Sequence, residues 1–75
     1  MTAVAEIEVG KAYRHFKGGD YAVVGFCTHS ETLETMVLYR ARENPDGRIW
    51  VRPIEMFKAT VQDGTRVVPR FTLIE

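Results

Sequence analysis

The chain lacks most of the features that staple or anchor small proteins. Cys27 is its single cysteine, so no internal disulfide can form and cysteines alone cannot hold zinc. Ten basic and ten acidic residues cancel, so no net charge attracts nucleic acid or an anionic membrane. The apolar run at residues 21–27 is far too short to span a bilayer. Glu6 and Glu8 stand where a signal peptide needs basic and apolar residues, so we expect a cytoplasmic protein.

What the sequence does have is enough apolar material for one small core. Its 75 residues are 45% hydrophobic and include four phenylalanines, three tyrosines and one tryptophan. A protein of this length forms one domain and buries only about 60% of its unfolded surface. We expect a flexible N-terminal tail at residues 1–9 and a single domain at residues 10–75.

The pattern of residues predicts β-structure. Twenty residues are Val, Ile or Thr, and the apolar stretches are short and separated by turn residues. Residues 11–17 and 21–28 are predicted strands. The second is apolar on both faces, so it should lie near the centre of the sheet, with a bend or bulge at Gly25. Residues 29–34 are a predicted polar loop with room for one helical turn, since Thr28 and Glu31 have capping-box spacing.

Residues 35–42 and 48–52 are predicted to form a hairpin around a type I turn at residues 44–47. A loop with an even number of residues pairs Glu43 with Arg48, Ala41 with Trp50 and Tyr39 with Arg52. A loop with an odd number can place Arg42 opposite Arg48, a like-charge clash. The even register sorts the hairpin into two faces. We assign to the core the face of Met36, Leu38, Ile49 and Val51, and to the surface that of Val37, Tyr39, Ala41, Arg48, Trp50 and Arg52.

The C-terminal third of the sequence predicts one helical turn and a second hairpin. Pro53, Glu55 and Lys58 suit the two ends of a helical turn in which Ile54 and Phe57 lie one turn apart. Residues 61–62 and 66–68 flank an Asp-Gly turn, and residues 71–73 add an edge strand after a proline. We therefore predict a small SH3-like antiparallel barrel of five or six short strands with one helical (3₁₀) turn. An OB-like barrel is the nearest alternative.

Several ordered clusters resemble a known bacterial family. The clusters are Tyr13-Arg14-His15-Phe16-Lys17-Gly18, His29-Ser30-Glu31-Thr32, Val37-Leu38-Tyr39-Arg40, Trp50-Val51-Arg52-Pro53, Glu55-Met56-Phe57 and Pro69-Arg70-Phe71. In this order and spacing they resemble the domain of unknown function numbered sixteen fifty-three, over roughly residues 10 to 74. The resemblance implies a small SH3-like barrel in short stand-alone bacterial proteins. It implies no activity, cofactor or catalytic residue, and residues 42–48 fit the family pattern least well.

Two catalytic constellations are weak. Cys27 and His29 would point to the same side of a strand, and His15 could approach them as a third zinc ligand. No second paired motif supports this, and a lone cysteine among apolar residues is usually a core side chain. His29, Ser30 and Glu31 have the residue types of a hydrolytic triad, but consecutive residues on a strand alternate sides and no glycine elbow accompanies Ser30. We expect no metal, no cofactor and no enzymatic activity.

The most informative constellation combines arginine with aromatic residues. Seven of the ten basic residues are arginine, which grips carboxylates and phosphates and stacks on rings. Arg48, Trp50 and Arg52 alternate along one strand face near Tyr39. The competing interpretation places Trp50 in the core and pairs the arginines with Glu43, Glu55 or Asp46. The candidate binding residues are Arg14, His29, Glu31, Tyr39, Arg48, Trp50 and Arg52.

The sequence therefore predicts a non-enzymatic binding module without a membrane segment. We expect its ligand to be an anionic or extended peptide segment of a protein partner, bound by the arginine and aromatic side chains. The alternative is single-stranded RNA or DNA, whose bases would stack on Trp50 and Tyr39. A small hydrolytic enzyme acting through His29, Ser30 or Cys27 is the third and weakest hypothesis.

Overall fold

Short strands dominate the structure. The computed structural model describes residues 7–44 and 46–74. Within these residues one short helix, α1 (Ile54–Lys58), is accompanied by seven strands: β1 (Ala12–His15), β2 (Asp20–Thr28), β3 (Thr35–Ala41), β4 (Trp50–Pro53), β5 (Thr60–Asp63), β6 (Arg66–Pro69) and β7 (Phe71–Leu73). The predicted all-β class is confirmed.

Five of the strands form one antiparallel sheet in the order β4-β3-β2-β1-β7, while β5 pairs with β6 in a separate hairpin. β2 lies at the centre of the larger sheet and β7 at its edge, as predicted. The register of β2 shifts between Val23 and Gly25, so the strand is irregular beside the glycine at which a bend or bulge was predicted. Among the described residues, strand pairing does not close these sheets into a barrel, so the structure establishes the all-β class without the predicted closure.

The helical turn forms where it was predicted, but it is α-helical and not 3₁₀. α1 begins after Pro53, whose φ of −55° suits the start of a helix. Glu55 in its first turn lies 3.7 Å from the Lys58 ammonium in its last turn, so the two charges flank the turn as its dipole prefers. Phe57 is its buried residue. The main role of α1 is therefore to carry one phenylalanine into the core.

The predicted register of the β3–β4 hairpin is wrong by two residues. Trp50 lies opposite Tyr39, not Ala41, and Arg52 lies opposite Val37, not Tyr39. The cause is a pair of consecutive turns between the strands. The Asn44 amide donates to the Ala41 carbonyl (3.2 Å), and the Gly47 amide donates to the Asn44 carbonyl (2.9 Å). Ala41 and Glu43 belong to the first turn, so they do not pair with Trp50 and Arg48 as predicted.

A shift of two residues leaves each side chain on its predicted side, because side chains alternate with a period of two. The prediction that the core lies on the side of Met36, Leu38, Ile49 and Val51 is nevertheless wrong. The core lies on the side of Val37 and Tyr39, which are 0% and 6% exposed, whereas Ile49 and Val51 are more than half exposed. We call the first side, with Val37, Tyr39, Trp50 and Arg52, the aromatic face. We call the second, with Met36, Leu38 and Val51, the outer face; of these three only Met36 is buried.

Aromatic rings explain why the core formed on this side. The rings of Phe57 and Phe71 are stacked with centroids 4.0 Å apart, and Tyr13 and Tyr39 meet the Phe57 ring edge-on. Such contacts stabilise a core by about 0.5–1.5 kcal/mol per pair beyond the burial of area. Residues 1–6 of the predicted tail lie outside the described residues, while Ile7 is packed in this core.

Candidate functional site

A cavity of about 200 Å³ opens on the aromatic face. It is lined by residues of both edge strands and of the strands between them. The lining residues are His15, Tyr21, Tyr39, Trp50, Arg52 and Phe71. β4 lies at one edge of the sheet and β7 at the other, so the sheet curves enough for side chains of both to border one space.

Three aromatic rings support the cavity. Tyr21, Tyr39 and Phe71 form a triangle in which the Tyr39 centroid lies 5.6 Å from that of Tyr21 and 5.6 Å from that of Phe71. All three pairs, including Tyr21 with Phe71 at 6.0 Å, are edge-to-face. Because this packing continues into the buried Phe57 and Tyr13, the base of the cavity is a rigid part of the core.

Arg52 brings a positive charge into this aromatic surrounding. Its Nε donates a hydrogen bond to the Tyr39 hydroxyl oxygen at 3.2 Å, and the side chain is partly buried. Within residues 7–44 and 46–74, no carboxylate forms an ion pair with Arg52. Among the described residues, Arg52 therefore does not form the pairing with Glu43, Glu55 or Asp46 that the sequence left open. The two Nη groups remain as hydrogen-bond donors for a ligand.

Trp50 forms one wall of the cavity and is half-exposed. The indole is 46% accessible, and the guanidinium carbon of Arg48 lies 5.5 Å from the ring centroid, a cation–π distance. Trp50 is therefore neither the plug of the core nor a free surface residue. Tyr39, by contrast, was predicted on an exposed patch and is buried, so only its hydroxyl end is placed to serve the cavity.

The half-exposed indole makes a spectroscopic prediction. Because Trp50 is the only tryptophan, the emission of the protein reports on this ring alone. The ring is half-exposed, so its emission should be red-shifted relative to that of a buried indole. Acrylamide should quench it readily in the native state, and denaturation should increase that quenching only moderately. Blue emission that resists acrylamide would contradict the placement of Trp50 on the cavity wall.

His15 also borders the cavity, although the sequence indicated it only as a distant metal ligand. It lies opposite Phe71 in the β1–β7 pair, with ring centroids 5.0 Å apart. Burial lowers the pKa of His15 below its ordinary value, and the positive charges of Arg52, Arg70 and Lys17 lower it further. The imidazole is therefore neutral at pH 7, in a region where the nearby charges are positive.

The lowered pKa of His15 predicts how stability depends on pH. Below the ordinary histidine pKa of about 6.5, the unfolded protein binds a proton that the folded protein resists. The free energy of unfolding should therefore fall as pH decreases through this range, with the loss complete below the folded pKa. Urea unfolding at several pH values between 8 and 5 measures this change in the free energy of unfolding. The His15→Gln variant should show a flatter profile, and an equal slope in both proteins would contradict the prediction.

The structure does not bring the other predicted residues to the cavity. Arg14 lies across the sheet and binds Asp20 through two hydrogen bonds, Nε–Oδ1 at 2.8 Å and Nη2–Oδ2 at 3.2 Å. This bonding lowers the pKa of Asp20. His29 holds its own loop, since its Nδ1 accepts the amides of Glu31 and Thr32. That ring, rather than the Thr28–Glu31 capping box, organises the loop, and neither His29 nor Glu31 lines the cavity.

A second cavity, of about 400 Å³, is lined by Arg14, His15, Phe16, Asp63, Val68, Pro69, Thr72 and Ile74. In the part of the sequence that the structure describes, no group of three His, Cys, Asp or Glu residues is arranged to hold a metal ion. Cys27 is exposed at the end of β2, contrary to the expectation of a core residue. No described helix is long and apolar enough to cross a membrane.

Comparison with known proteins agrees with the sequence clusters. Residues 11–73 match the model of the family described as Protein of unknown function (DUF1653). The chain belongs to this family. The crystal structure of a DUF1653 protein from Bordetella bronchiseptica resembles it with a TM-score of 0.76 and 30% sequence identity, covering 96% of this chain and 92% of the other. The resemblance inferred from the sequence is thus confirmed. No curated protein matches the sequence.

Proposed function

We propose that this DUF1653 protein is a non-enzymatic binding module that recognises an anionic, extended peptide segment of a protein partner. Arg52 carries the proposal. A partly buried guanidinium without a carboxylate partner among the described residues has lost part of its hydration and gained no opposite charge. A ligand carboxylate would supply that charge, and both Nη groups could bind it in a bidentate geometry.

The size of the cavity favours one side chain of a larger ligand. Sites for drug-sized molecules measure roughly 300–1,000 Å³, whereas this cavity measures about 200 Å³. β4 borders it and, among the described residues, pairs with β3 on one side only, so its other edge can offer backbone groups to a ligand. An extended peptide could pair with that edge while one acidic side chain enters the cavity.

The participation of both edge strands in one cavity also supports our proposal that the fold is an SH3-like barrel.

The proposal involves no catalysis by the polar loop. The His29 Nδ1 is occupied by two backbone amides, so the ring is a poor general base for the neighbouring Ser30.

Fluorescence titration of the full-length protein tests this function, with Trp50 as the reporter. The ligands are a pool of acetylated and amidated octapeptides that contain glutamate and a matched pool with glutamine in its place. We expect a saturable change in emission with the glutamate pool alone. Single-stranded oligonucleotides form the third arm. If they bind with steep salt dependence and the peptides do not, the ligand is nucleic acid and the proposal is wrong.

A further inference from the structure

His15 is placed to act with Arg52 on the same ligand. Both side chains line the cavity, and they come from β1 and β4, which two other strands separate in the sheet. His15 packs edge-to-face on Phe71, and its ring centroid is 6.4 Å from that of Tyr21. The ring is therefore held by aromatic neighbours in a fixed position on the cavity wall.

A backbone hydrogen bond selects the tautomer of His15. The amide of Lys17 donates to His15 Nδ1 at 3.2 Å, so the proton of the neutral ring is on Nε2. No described residue accepts a hydrogen bond from this Nε2–H. In the described residues, every buried polar side-chain atom has a hydrogen-bond partner. Since Nε2 of His15 has none, it is accessible to solvent. His15 thus offers a second donor beside the guanidinium.

The charges around His15 define the kind of anion that fits. Arg52 on β4, Arg70 before β7 and Lys17 after β1 are the charged groups that act on the ring, and all are positive. Arg70 Nε already donates to the Met56 carbonyl, and the Lys17 ammonium lies over the Phe16 ring. Of the residues that line the cavity, Arg52 alone is charged while His15 is neutral, so the charge of the lining is close to +1. That balance matches a singly charged anion.

Building on the proposed function, we propose that the anionic group of the ligand is one carboxylate, held between the Arg52 guanidinium and the Nε2–H of His15. Arg52 supplies the charge and His15 supplies a directional donor. The carboxylate has two sources in a peptide, an acidic side chain or the C-terminal carboxylate. A negative charge beside the imidazole also stabilises its protonated form, so the ligand should bind more tightly as pH falls through the histidine range.

Nuclear magnetic resonance of the two histidine rings tests the proposal in the unaltered protein. The probes are N-acetylglutamate amide for the side-chain source, N-acetylglycine for the C-terminal source, and inorganic phosphate as a different anion. We expect at least one carboxylate probe to raise the pKa of His15. The signals of His29, whose ring is engaged within its own loop, should not move with the probe and serve as the internal control.

Two variants separate the donor from the ring. His15→Phe keeps an aromatic side chain on Phe71 but removes the donor, and should weaken binding of the effective carboxylate probe by about tenfold or more. His15→Gln keeps an amide donor, so it should retain more of the affinity at pH 8 and lose the increase at lower pH. Native spectra of both variants establish that they are folded.

The outcomes distinguish this inference from the function on which it rests. Suppose that the glutamate peptides and a carboxylate probe change the emission of Trp50 while the pKa of His15 and the affinity of His15→Phe stay unchanged. The binding function then stands and the role of His15 is wrong. Tighter binding of phosphate than of either carboxylate overturns the carboxylate assignment. If neither the peptides nor the probes bind, both proposals are wrong.

Discussion

Replacement of Phe57 by alanine should lower the free energy of unfolding by about 3–5 kcal/mol, the range for a deleted core aromatic. Its side chain is 1% exposed, stacks on Phe71, and meets Tyr13 and Tyr39 edge-on. Phe57 is the one fully buried residue of α1, while Ile54 is partly buried and also packs against the core, so the helix loses its main attachment with this ring. A single core in a domain of this size rarely supplies more than about 3–5 kcal/mol of stability, so the variant should be largely unfolded at 37 °C.

Phe26→Ala is the matched control, since it removes the same atoms from a side chain that is 41% exposed. Urea unfolding should show less than half of the loss measured for Phe57→Ala, because less area leaves the core. A third variant, Val51→Ala, tests the outer face directly and should have little effect. If Val51→Ala destabilised the protein as much as Phe57→Ala, the assignment of the core to the aromatic face would be wrong.

Replacement of Arg52 by glutamine should weaken binding of an acidic peptide by about 1–3 kcal/mol, the range for hydrogen bonds to a charged group. The guanidinium has no ion-pair partner among the described residues, so the folded protein loses only the hydrogen bond to the Tyr39 hydroxyl. That loss should cost about 1 kcal/mol of stability or less. Titration of Trp50 emission measures the first quantity and urea unfolding the second.

Arg66→Gln is the control for charge alone. Arg66 is exposed in the β5–β6 hairpin and does not line the cavity, yet its replacement changes the net charge equally. It should leave affinity within about 0.5 kcal/mol of the wild type, as for an ordinary surface substitution. Equal weakening by the two variants would indicate a diffuse electrostatic effect and not a site at Arg52.

Local chemistry made most of the fold predictable. The strand positions, the irregularity of β2 beside Gly25 and the helical turn after Pro53 follow from glycine and proline geometry and from side-chain periodicity, which act within a few residues. The register of the β3–β4 hairpin was harder to predict from the sequence. Two registers differing by two residues put the same side chains on each face, and only the backbone hydrogen bonds from Asn44 to Ala41 and from Gly47 to Asn44 decide between them.

The core face could not be decided from the hairpin alone. Both faces of β3 and β4 carry apolar residues, and the face without arginine was assigned to the core. Distant elements made the actual choice, because α1 and β7 bring Phe57 and Phe71 against Tyr39. Arg52 is compatible with this face because it lies at the border of the core, where its guanidinium reaches the cavity.

The candidate site was predictable only in its β4 half. Trp50 and Arg52 follow from alternation along β4, and Tyr39 joins them across the hairpin. Arg48 lies before β4 and contacts the Trp50 ring without lining the cavity. His15, Tyr21 and Phe71 were missed, since they come from three other strands whose pairing no short-range pattern specifies. The alternation of Tyr13 with His15 was the available signal, because it places the histidine on the side of a tyrosine that belongs in the core.

Mapping of backbone amide shifts during titration with a glutamate-containing peptide tests most directly whether the aromatic face binds the ligand. We expect the perturbed amides to cluster on residues around the cavity, at His15, Tyr21, Trp50, Arg52 and Phe71, with β4 following if the peptide pairs with its edge. The amides of Leu38 and Cys27, on the outer side of β3 and β2, should change little. Perturbations centred on Leu38, Cys27 and Val51, with the cavity unaffected, would contradict the account and move the binding surface to the outer face.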